Sequence, residues 1–189
     1  MLIACLGWGS LVWDPRDLPV QCQPNRWFRD GPFLPIEFTR FSSNGRVTLV
    51  ITAGSDPVRS LWSPLRLTNL DDARSALGWR ECRKKADPKE CVGYWPGGPG
   101  EADITRPIGE WAKGLAIDAV VWTCLPPKSD RGERDKPGED EVISRLKKLG
   151  YVNGKAAECY IRMTPRQIDT AYRRRIEREL GWTPSAEAQ

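Results

Sequence analysis

The amino-terminal third of the chain alternates apolar runs with glycine-rich or polar breaks. Leu2 to Leu6 is apolar and ends at a glycine, a pattern that is typical of a buried strand. Pro35 to Ser42 and Arg46 to Ile51 are two further strand-like runs. Ser43 to Gly45 between them contains Asn-Gly, the strongest short hairpin signal. We therefore expect a buried first strand, then a polar loop from Asp14 to Gly31, and then a hairpin.

In the middle of the chain, the pattern predicts one helix, with one strand before it and one strand after it. Ser60 to Leu67 is a strand candidate with an internal proline, which favours an edge strand or a bulge because proline donates no ladder hydrogen bond. Leu70 to Lys85 predicts a helix capped by Thr68 or Asn69, with acidic residues in its first turn. Ala116 to Leu125 is apolar and β-branched, as expected of a central strand.

Two later stretches contain much glycine, proline and charge. Asp87 to Pro107 is predicted to be irregular, and Pro126 to Glu141 to be a solvated loop or a mobile lid.

The carboxy-terminal part predicts two helices. Glu139 to Leu149 is amphipathic and is followed by Gly150, a common helix end. Thr164 is a candidate cap, with Pro165 at the first helical position and Gln167 completing a capping box. The apolar stripe of this last helix consists of Ile168, Ala171, Tyr172, Ile176 and Leu180, and Gly181 ends it.

The order of the elements indicates an α+β fold, because strands come early and helices come late and between them. The sequence contains no repeat and no convincing domain boundary. We expect one domain over residues 1–182, followed by a frayed tail of residues 183–189.

The composition narrows the class of protein. The chain has 189 residues, of which 40% are hydrophobic and 29% charged, and it can fold without a metal or a disulfide. No apolar run reaches the roughly 18 residues of a transmembrane helix, so no membrane partner is expected. The net charge of +4 comes from interleaved residues and not from a basic stripe, which argues against nucleic acid as a partner.

The sequence contains no histidine, which excludes Ser-His-Asp and Cys-His catalysis and any imidazole-ligated metal. No two of the six cysteines are spaced as C-x-x-C, so a zinc knuckle is not indicated. Cys5, Cys124 and Cys159 lie in apolar runs that suit free thiols, and the sequence leaves open whether Cys82 and Cys91 pair. Because the first residues lack the basic region of a signal peptide, we expect a reduced, cytoplasmic protein.

Two features point to chemistry. Gly7 to Leu11 follows a strand, and such a turn can present several backbone N–H groups to a carboxylate or a phosphate. The alternative is a tight turn that only ends a buried strand. Ala73, Leu77 and Glu81 share one helical stripe, which turns Glu81 inward, where lost hydration would raise its pKa and suit it to proton transfer. The alternative is an ion pair with a basic residue, Arg80, Lys84 or Arg40.

Two other features have ordinary explanations. The nine tryptophans can line a pocket, as Trp8 in the glycine turn could, but burial in the core is the usual role of this residue. Arg173 to Arg175 could contact phosphates, but arginines on the polar face of a terminal helix are commonly a solvated face, and Glu177 and Glu179 dilute the charge.

The segment from Leu2 to Trp13, LIACLGWGSLVW, is similar to the strand and turn of the gamma-glutamylcyclotransferase-like family, including its ChaC-type branch. Phe38 to Ile51 resembles the arginine-bearing segment that follows, and Leu61 to Glu81 resembles the family's strand and helix ending in Arg-Glu. The resemblance implies a mixed β-barrel or sheet with flanking helices. It also implies substrate binding by the turn and by Arg40, with Glu81 as the catalytic acid–base; the turn residues are Trp8, Gly9, Ser10 and Leu11.

The family reaction suits a chain without histidine. A gamma-glutamyl compound carries its own nucleophile, since its alpha-amine attacks the gamma-carbonyl to give 5-oxoproline and a free amine. The resemblance thus implies a lyase or acyltransferase that acts on a small gamma-glutamyl molecule such as glutathione, with no cofactor and no metal. The turn departs from the family by having Trp8 where a tyrosine is usual. That departure favours the alternative, a non-catalytic module that binds a small carboxylate or a protein terminus.

Overall fold

The apolar runs of the sequence form the strands of open sheets in a computed structural model. It describes residues 1–24, 26–42, 45–82, 86–99 and 101–188. In chain order the strands are β1 (Ile3–Gly7), β2 (Phe33–Leu34), β3 (Ile36–Phe41), β4 (Val47–Ile51), β5 (Val58–Arg59), β6 (Leu61–Pro64), β7 (Val92–Trp95), β8 (Ala119–Thr123), β9 (Lys128–Ser129) and β10 (Gly132–Glu133). The helices are α1 (Leu70–Cys82), α2 (Ala102–Gly114), α3 (Glu139–Lys147), α4 (Tyr151–Met163) and α5 (Ala171–Leu180), with a short 3-10 helix over Pro88–Cys91.

The residues group into two compact units. The first comprises Met1–Leu34 and Arg59–Leu125, and the second comprises Pro35–Val58 and Pro126–Gln189. Both contain a mixed sheet and helices, which confirms the α+β class. Neither four-stranded sheet closes on itself within the described residues, so the barrel form of the prediction is wrong and the open sheet is correct.

The first unit is built on a sheet with the strand order β6-β1-β8-β7. Strand β1 runs parallel to β8 and antiparallel to β6, which makes β1 and β8 the central strands. The predicted central strand is thereby confirmed, and Pro64 ends an edge strand, as its missing N–H requires. Helix α1 packs against β7 and β8, and Leu77 of α1 is fully buried, as are Ile3 of β1 and Val120 of β8.

Helix α1 begins where the sequence predicts. The side chain of Asn69 accepts hydrogen bonds from the backbone N–H groups of Asp71 (2.8 Å) and Asp72 (3.2 Å), so Asn69 and not Thr68 is the cap. The described part of α1 runs to Cys82, and the predicted end at Lys85 lies outside the described residues.

The prediction of an irregular Asp87–Pro107 segment is wrong. The described part of this stretch contains the 3-10 helix, strand β7 and the first half of α2. Pro107 lies inside α2, where it removes one backbone hydrogen bond but leaves the helix intact. Burial explains this tolerance, since Ile108 and Ala112 are fully buried on the inner face of α2.

The second unit contains a sheet with the order β10-β9-β3-β4. Strands β3 and β4 pair antiparallel, which confirms the predicted hairpin strands. Of its turn, Ser43 and Asn44 lie outside the described residues, while Gly45 adopts a φ of +81° that favours glycine. The prediction of a loop or lid over Pro126 to Glu141 is wrong between residues 128 and 133. Strands β9 and β10 form a hairpin there, and β9 pairs with β3 at Arg40.

The last helix begins later than its capping signals predict. Thr164 ends α4, a helix that the sequence analysis missed because it has no capping side chain and contains Gly154. The carbonyl groups of Thr164, Pro165 and Ile168 accept hydrogen bonds from the buried guanidinium of Arg173. Because those carbonyls bind the Arg173 side chain, they do not start the hydrogen-bond ladder of a helix. Helix α5 therefore begins after Thr170, whose side chain accepts a hydrogen bond from the backbone N–H of Arg173. Gly181 ends α5 in a left-handed conformation, as predicted.

Glu37 is a buried carboxylate that also fixes the start of α5. It accepts hydrogen bonds from the hydroxyl of Thr170 and from the backbone N–H groups of Phe38 (2.8 Å) and Tyr172 (3.2 Å). Burial raises the pKa of Glu37, and these three donors oppose that rise.

After α5, the chain continues in contact with α4, because the N–H of Ser185 donates to the carbonyl of Arg162 at 2.8 Å.

Replacing Gly78 with alanine should destabilise the protein by about 1–3 kcal/mol, the usual cost of overpacking. An alanine Cβ there would lie 2.6 Å from the carbonyl oxygen of Pro88, a backbone atom that cannot move away easily. Gly114→Ala is the matched control, since no atom lies within 4 Å of its added Cβ and alanine favours the helix. Urea unfolding measures both, and equal midpoints for the two variants would contradict this packing.

Glu37→Gln should remove a pH dependence of stability. Because the pKa of Glu37 is raised in the folded protein, the folded state holds this proton more tightly than the unfolded chain. The free energy of unfolding of the wild type should therefore decrease as the pH rises above 4.5, relative to the variant. Denaturant titrations across that range test this, with the exposed Glu110→Gln as control. Parallel curves for wild type and Glu37→Gln would contradict the expected shift.

Candidate functional site

The turn after β1 carries the first part of the site. The chain reverses over residues 8–13, where the N–H of Val12 donates to Gly9 O (3.0 Å) and that of Asp14 to Ser10 O (2.7 Å). A Cβ at Gly7 would lie 2.7 Å from the indole of Trp27, so a larger residue here would require the buried indole to shift. The predicted glycine-rich turn is thus present.

Gly9, Ser10 and Leu11 form what we call the amide turn. Within the described residues, their three backbone N–H groups donate to no protein acceptor. Gly9 and Leu11 are buried and Ser10 is partly exposed. Since backbone N–H groups in folded proteins nearly always have a partner, the amide turn offers donors to water or to an anionic ligand.

The second part of the site is the end of α1. Ala73 and Leu77 face the core, and the side chain of Glu81 on the same stripe is only 15% exposed, as the periodicity predicts. One oxygen of Glu81, Oε1, accepts a 2.7 Å hydrogen bond from Arg80. The ion-pair alternative of the sequence analysis is therefore realised, with Arg80 as the partner.

Arg80 joins the two parts of the site. Its side chain is 6% exposed, and one terminal nitrogen, Nη1, holds Glu81. The other, Nη2, donates to the hydroxyl of Ser10 at 3.2 Å and to the carbonyl of Asp14 at 2.6 Å. The planar guanidinium fork thus fixes the carboxylate of Glu81 beside the amide turn. The sequence analysis considered Arg80 only as an ion-pair partner, and nothing in its local pattern shows that it reaches the turn.

Cys5 of β1 lies beneath this cluster. Burial raises the pKa of the Cys5 thiol strongly, and the negative charge of Glu81 raises it further. Arg80 acts in the opposite direction but does not offset these two effects. The thiol therefore stays protonated, and Cys5 is a packed side chain and not a nucleophile.

The other two predicted binding residues have different surroundings. Trp8 is 5% exposed and belongs to the buried core of the first unit. Arg40 belongs to the second unit, where its two terminal nitrogens bind Glu133 at 2.7 and 3.0 Å and one of them also binds the carbonyl of Pro126. The hydrogen bond from Arg40 lowers the pKa of Glu133. A substrate carboxylate that bound Arg40 would have to displace Glu133.

The cysteines differ from the expected reduced state at one pair. Cys82, the last described residue of α1, forms a disulfide with Cys91, a pairing that the sequence left open, and the expectation of a reduced protein is corrected at this pair. Cys5, Cys22, Cys124 and Cys159 are free.

Among the described residues, no group of three or more cysteines and carboxylates could hold a metal ion. No helix in the described ranges has both the length and the apolar character that crossing a membrane requires.

A depression with a volume of about 340 Å³ lies in the second unit along α4. Its charged residues bind one another, since Glu158 pairs with Lys155 at 3.6 Å and with Arg162 at 3.0 Å. The Arg173–Arg175 run is similarly occupied: Arg173 is buried, contrary to the predicted solvated face, and Arg175 binds Glu179 and Asp140. Neither place offers a free cationic surface to a phosphate backbone.

Comparison with known proteins adds no family to this geometry. No family model matches the chain, and neither a curated protein nor a solved structure matches it.

Arg80→Lys should lower the free energy of unfolding by about 1–3 kcal/mol, since a single ammonium cannot reach Glu81, Ser10 and Asp14 together. Arg106→Lys is the matched control. Arg106 is 70% exposed and lies 3.9 Å from Asp103, so its replacement should have almost no effect. Urea titrations measure the free energy of unfolding of both variants. Equal stability of the two variants would contradict the role of Arg80 in joining Glu81 to the amide turn.

Proposed function

We propose that the protein is a gamma-glutamylcyclotransferase-like enzyme that releases an amine from a gamma-glutamyl compound and forms 5-oxoproline. The observation that supports this most is the Arg80 guanidinium, which is bonded both to Glu81 and to Ser10 of the amide turn. This arrangement sets an acid–base group beside a set of anion-binding donors. Both features agree with what the resemblance of the sequence implies.

Binding of the substrate uses the amide turn. Its N–H groups suit the alpha-carboxylate of a gamma-glutamyl group, because three neutral donors bind an anion without a second cation beside Arg80. Holding that end orients the alpha-amine toward the gamma-carbonyl, and the reaction becomes an intramolecular ring closure.

Proton transfer falls to Glu81. Its Oε1 is held by Arg80, while its Oε2 makes no hydrogen bond to any described residue and is available to a proton. Glu81 takes a proton from the alpha-ammonium, and the amine attacks the gamma-carbonyl. A carbon–nitrogen bond forms to close the ring, the original amide bond breaks, and Glu81 returns the proton to the leaving amine. The ring nitrogen gives up its second proton as the lactam forms, and the leaving amine takes up that proton and departs as an ammonium.

Ser10 stabilises the negative charge that develops on the oxygen of the gamma-carbonyl. Because Arg80 donates to the Ser10 oxygen, the hydroxyl hydrogen of Ser10 remains free to donate. A donor polarised in this way stabilises an oxyanion at the gamma-carbonyl.

A second candidate function is a non-catalytic module that binds a small carboxylate. It is favoured by Trp8, which stands buried at the position where the resembled family usually has tyrosine, so that the turn lacks a phenol hydroxyl. Such a module would bind a ligand saturably and release no product.

The wild type should produce 5-oxoproline from at least one member of a panel of gamma-glutamyl amino acids, gamma-glutamyl amines and glutathione. Glu81→Gln should lower that rate by about 10²–10⁴-fold, since a primary amide cannot accept the proton. Glu110→Gln, at an exposed position of α2, should leave the rate unchanged. Mass spectrometry of 5-oxoproline and circular dichroism of each variant provide the two measurements.

The outcomes separate the two candidate functions. Full activity of Glu81→Gln would exclude Glu81 as the acid–base group. If no compound gives product, calorimetric titration with glutamate and with 5-oxoproline tests the binding module, and saturable binding without turnover would replace the enzyme proposal.

A further inference from the structure

The end of α1 that carries Glu81 is joined covalently to the sheet that carries the amide turn. Cys82, the next residue, forms the disulfide with Cys91, which ends the 3-10 helix. Val92 follows at once and begins β7. Strand β7 pairs with β8, and β8 pairs with β1, whose end leads into the amide turn. The disulfide therefore connects the candidate acid–base residue to the support of the candidate anion site.

The rest of α1 is held without the disulfide. Near its start, Asp71 forms a 2.6 Å ion pair with Lys89 of the 3-10 helix. Farther along, Gly78 allows the helix to approach so closely that an added Cβ would lie 2.6 Å from the carbonyl oxygen of Pro88. Cleavage of the disulfide would therefore leave most of α1 packed. It would remove the covalent link of the last turn, which would then be held by the hydrogen bonds of Arg80 to Ser10 and Asp14, at the end where helices fray most readily.

We propose that the Cys82–Cys91 disulfide is a redox switch for this site: the oxidised protein holds Glu81 rigidly beside the amide turn, and reduction by a dithiol loosens the end of α1 and lowers turnover. The inference rests on the proposed function. It fits the general behaviour of disulfides in reducing compartments, which are commonly transient and redox-sensing.

The exchange is a two-electron reaction with a dithiol as the reductant. Its thiolate attacks the sulfur of Cys82, since residue Cys82 is 9% exposed and residue Cys91 is 1% exposed. The sulfur–sulfur bond breaks, and Cys91 leaves as a thiolate and takes up a proton. The second thiol of the reductant then attacks the mixed disulfide and releases Cys82 as a thiol. Two electrons and two protons pass to the protein, the reductant becomes a cyclic disulfide, and an oxidised dithiol reverses the reaction.

The other cysteines supply the controls. Cys5 is fully buried, so it takes no part in the exchange. Cys124 and Cys159 are exposed free thiols that can react with oxidants on their own. The double variant Cys124→Ser/Cys159→Ser should therefore respond to a dithiol as the wild type does, whereas Cys82→Ser/Cys91→Ser should behave like the reduced wild type in every condition.

The experiment compares oxidised protein with protein treated with dithiothreitol. Three quantities are measured: 5-oxoproline formation, deuterium uptake of the peptide that contains Glu81, and circular dichroism. We expect turnover to fall about 100-fold on reduction, the cost of a displacement of roughly 1 Å at a catalytic group. Deuterium uptake at the end of α1 should rise, the helical signal should persist, and reoxidation should restore activity. Equal turnover of both forms, or full activity of Cys82→Ser/Cys91→Ser, would overturn the switch.

Failure of the proposed function gives a different result. If neither redox form makes 5-oxoproline, the cyclotransferase proposal fails, and the exchange data still decide whether the disulfide controls the end of α1. Faster exchange at Glu81 in the reduced form would support the conformational switch. Identical exchange in the two forms would overturn it.

Discussion

The guanidinium of Arg80, buried between the end of α1 and the turn after β1, is the interaction on which the candidate site depends. A buried cation is costly unless its donors find acceptors, and here the terminal nitrogens bind Glu81, Ser10 and Asp14. Only a planar fork with several donors can satisfy a carboxylate, a hydroxyl and a carbonyl at one place. The position of the carboxylate and the shape of the amide turn therefore depend on the same side chain.

The second unit uses buried ionisable groups in a comparable way. Arg173 binds the carbonyls that follow α4, and Glu37 accepts the donors at the start of α5. Together they determine where one helix ends and the next begins. Both groups face backbone atoms that would otherwise be buried without partners, so each fixes a reversal of the chain by satisfying hydrogen bonds that no local pattern could satisfy.

The proposed reaction suits a chain without histidine, because the substrate supplies part of the chemistry. A gamma-glutamyl group brings its own nucleophile, so the protein has to supply only an anion-binding turn, a carboxylate and a means of holding both in place. In the proposed site, the amide turn and Glu81 would supply the first two, and Arg80 together with the Cys82–Cys91 disulfide would supply the third.

The sequence by itself determined the features that depend on neighbouring residues: the buried strand β1, the glycine turn after it, the strands of the hairpin, and the capped start of α1. Apolar periodicity and turn chemistry are properties of short segments, so these features could be predicted without knowledge of the tertiary structure. Tertiary structure alone decided the start of α5 at Thr170 and not Thr164, the burial of Arg173, the helix through Pro107, and the contact of Arg80 with the amide turn. The reason is common to all four: each is settled by hydrogen bonds or burial that become available only when the folded chain brings other residues into contact, and those contacts outweigh the local signals.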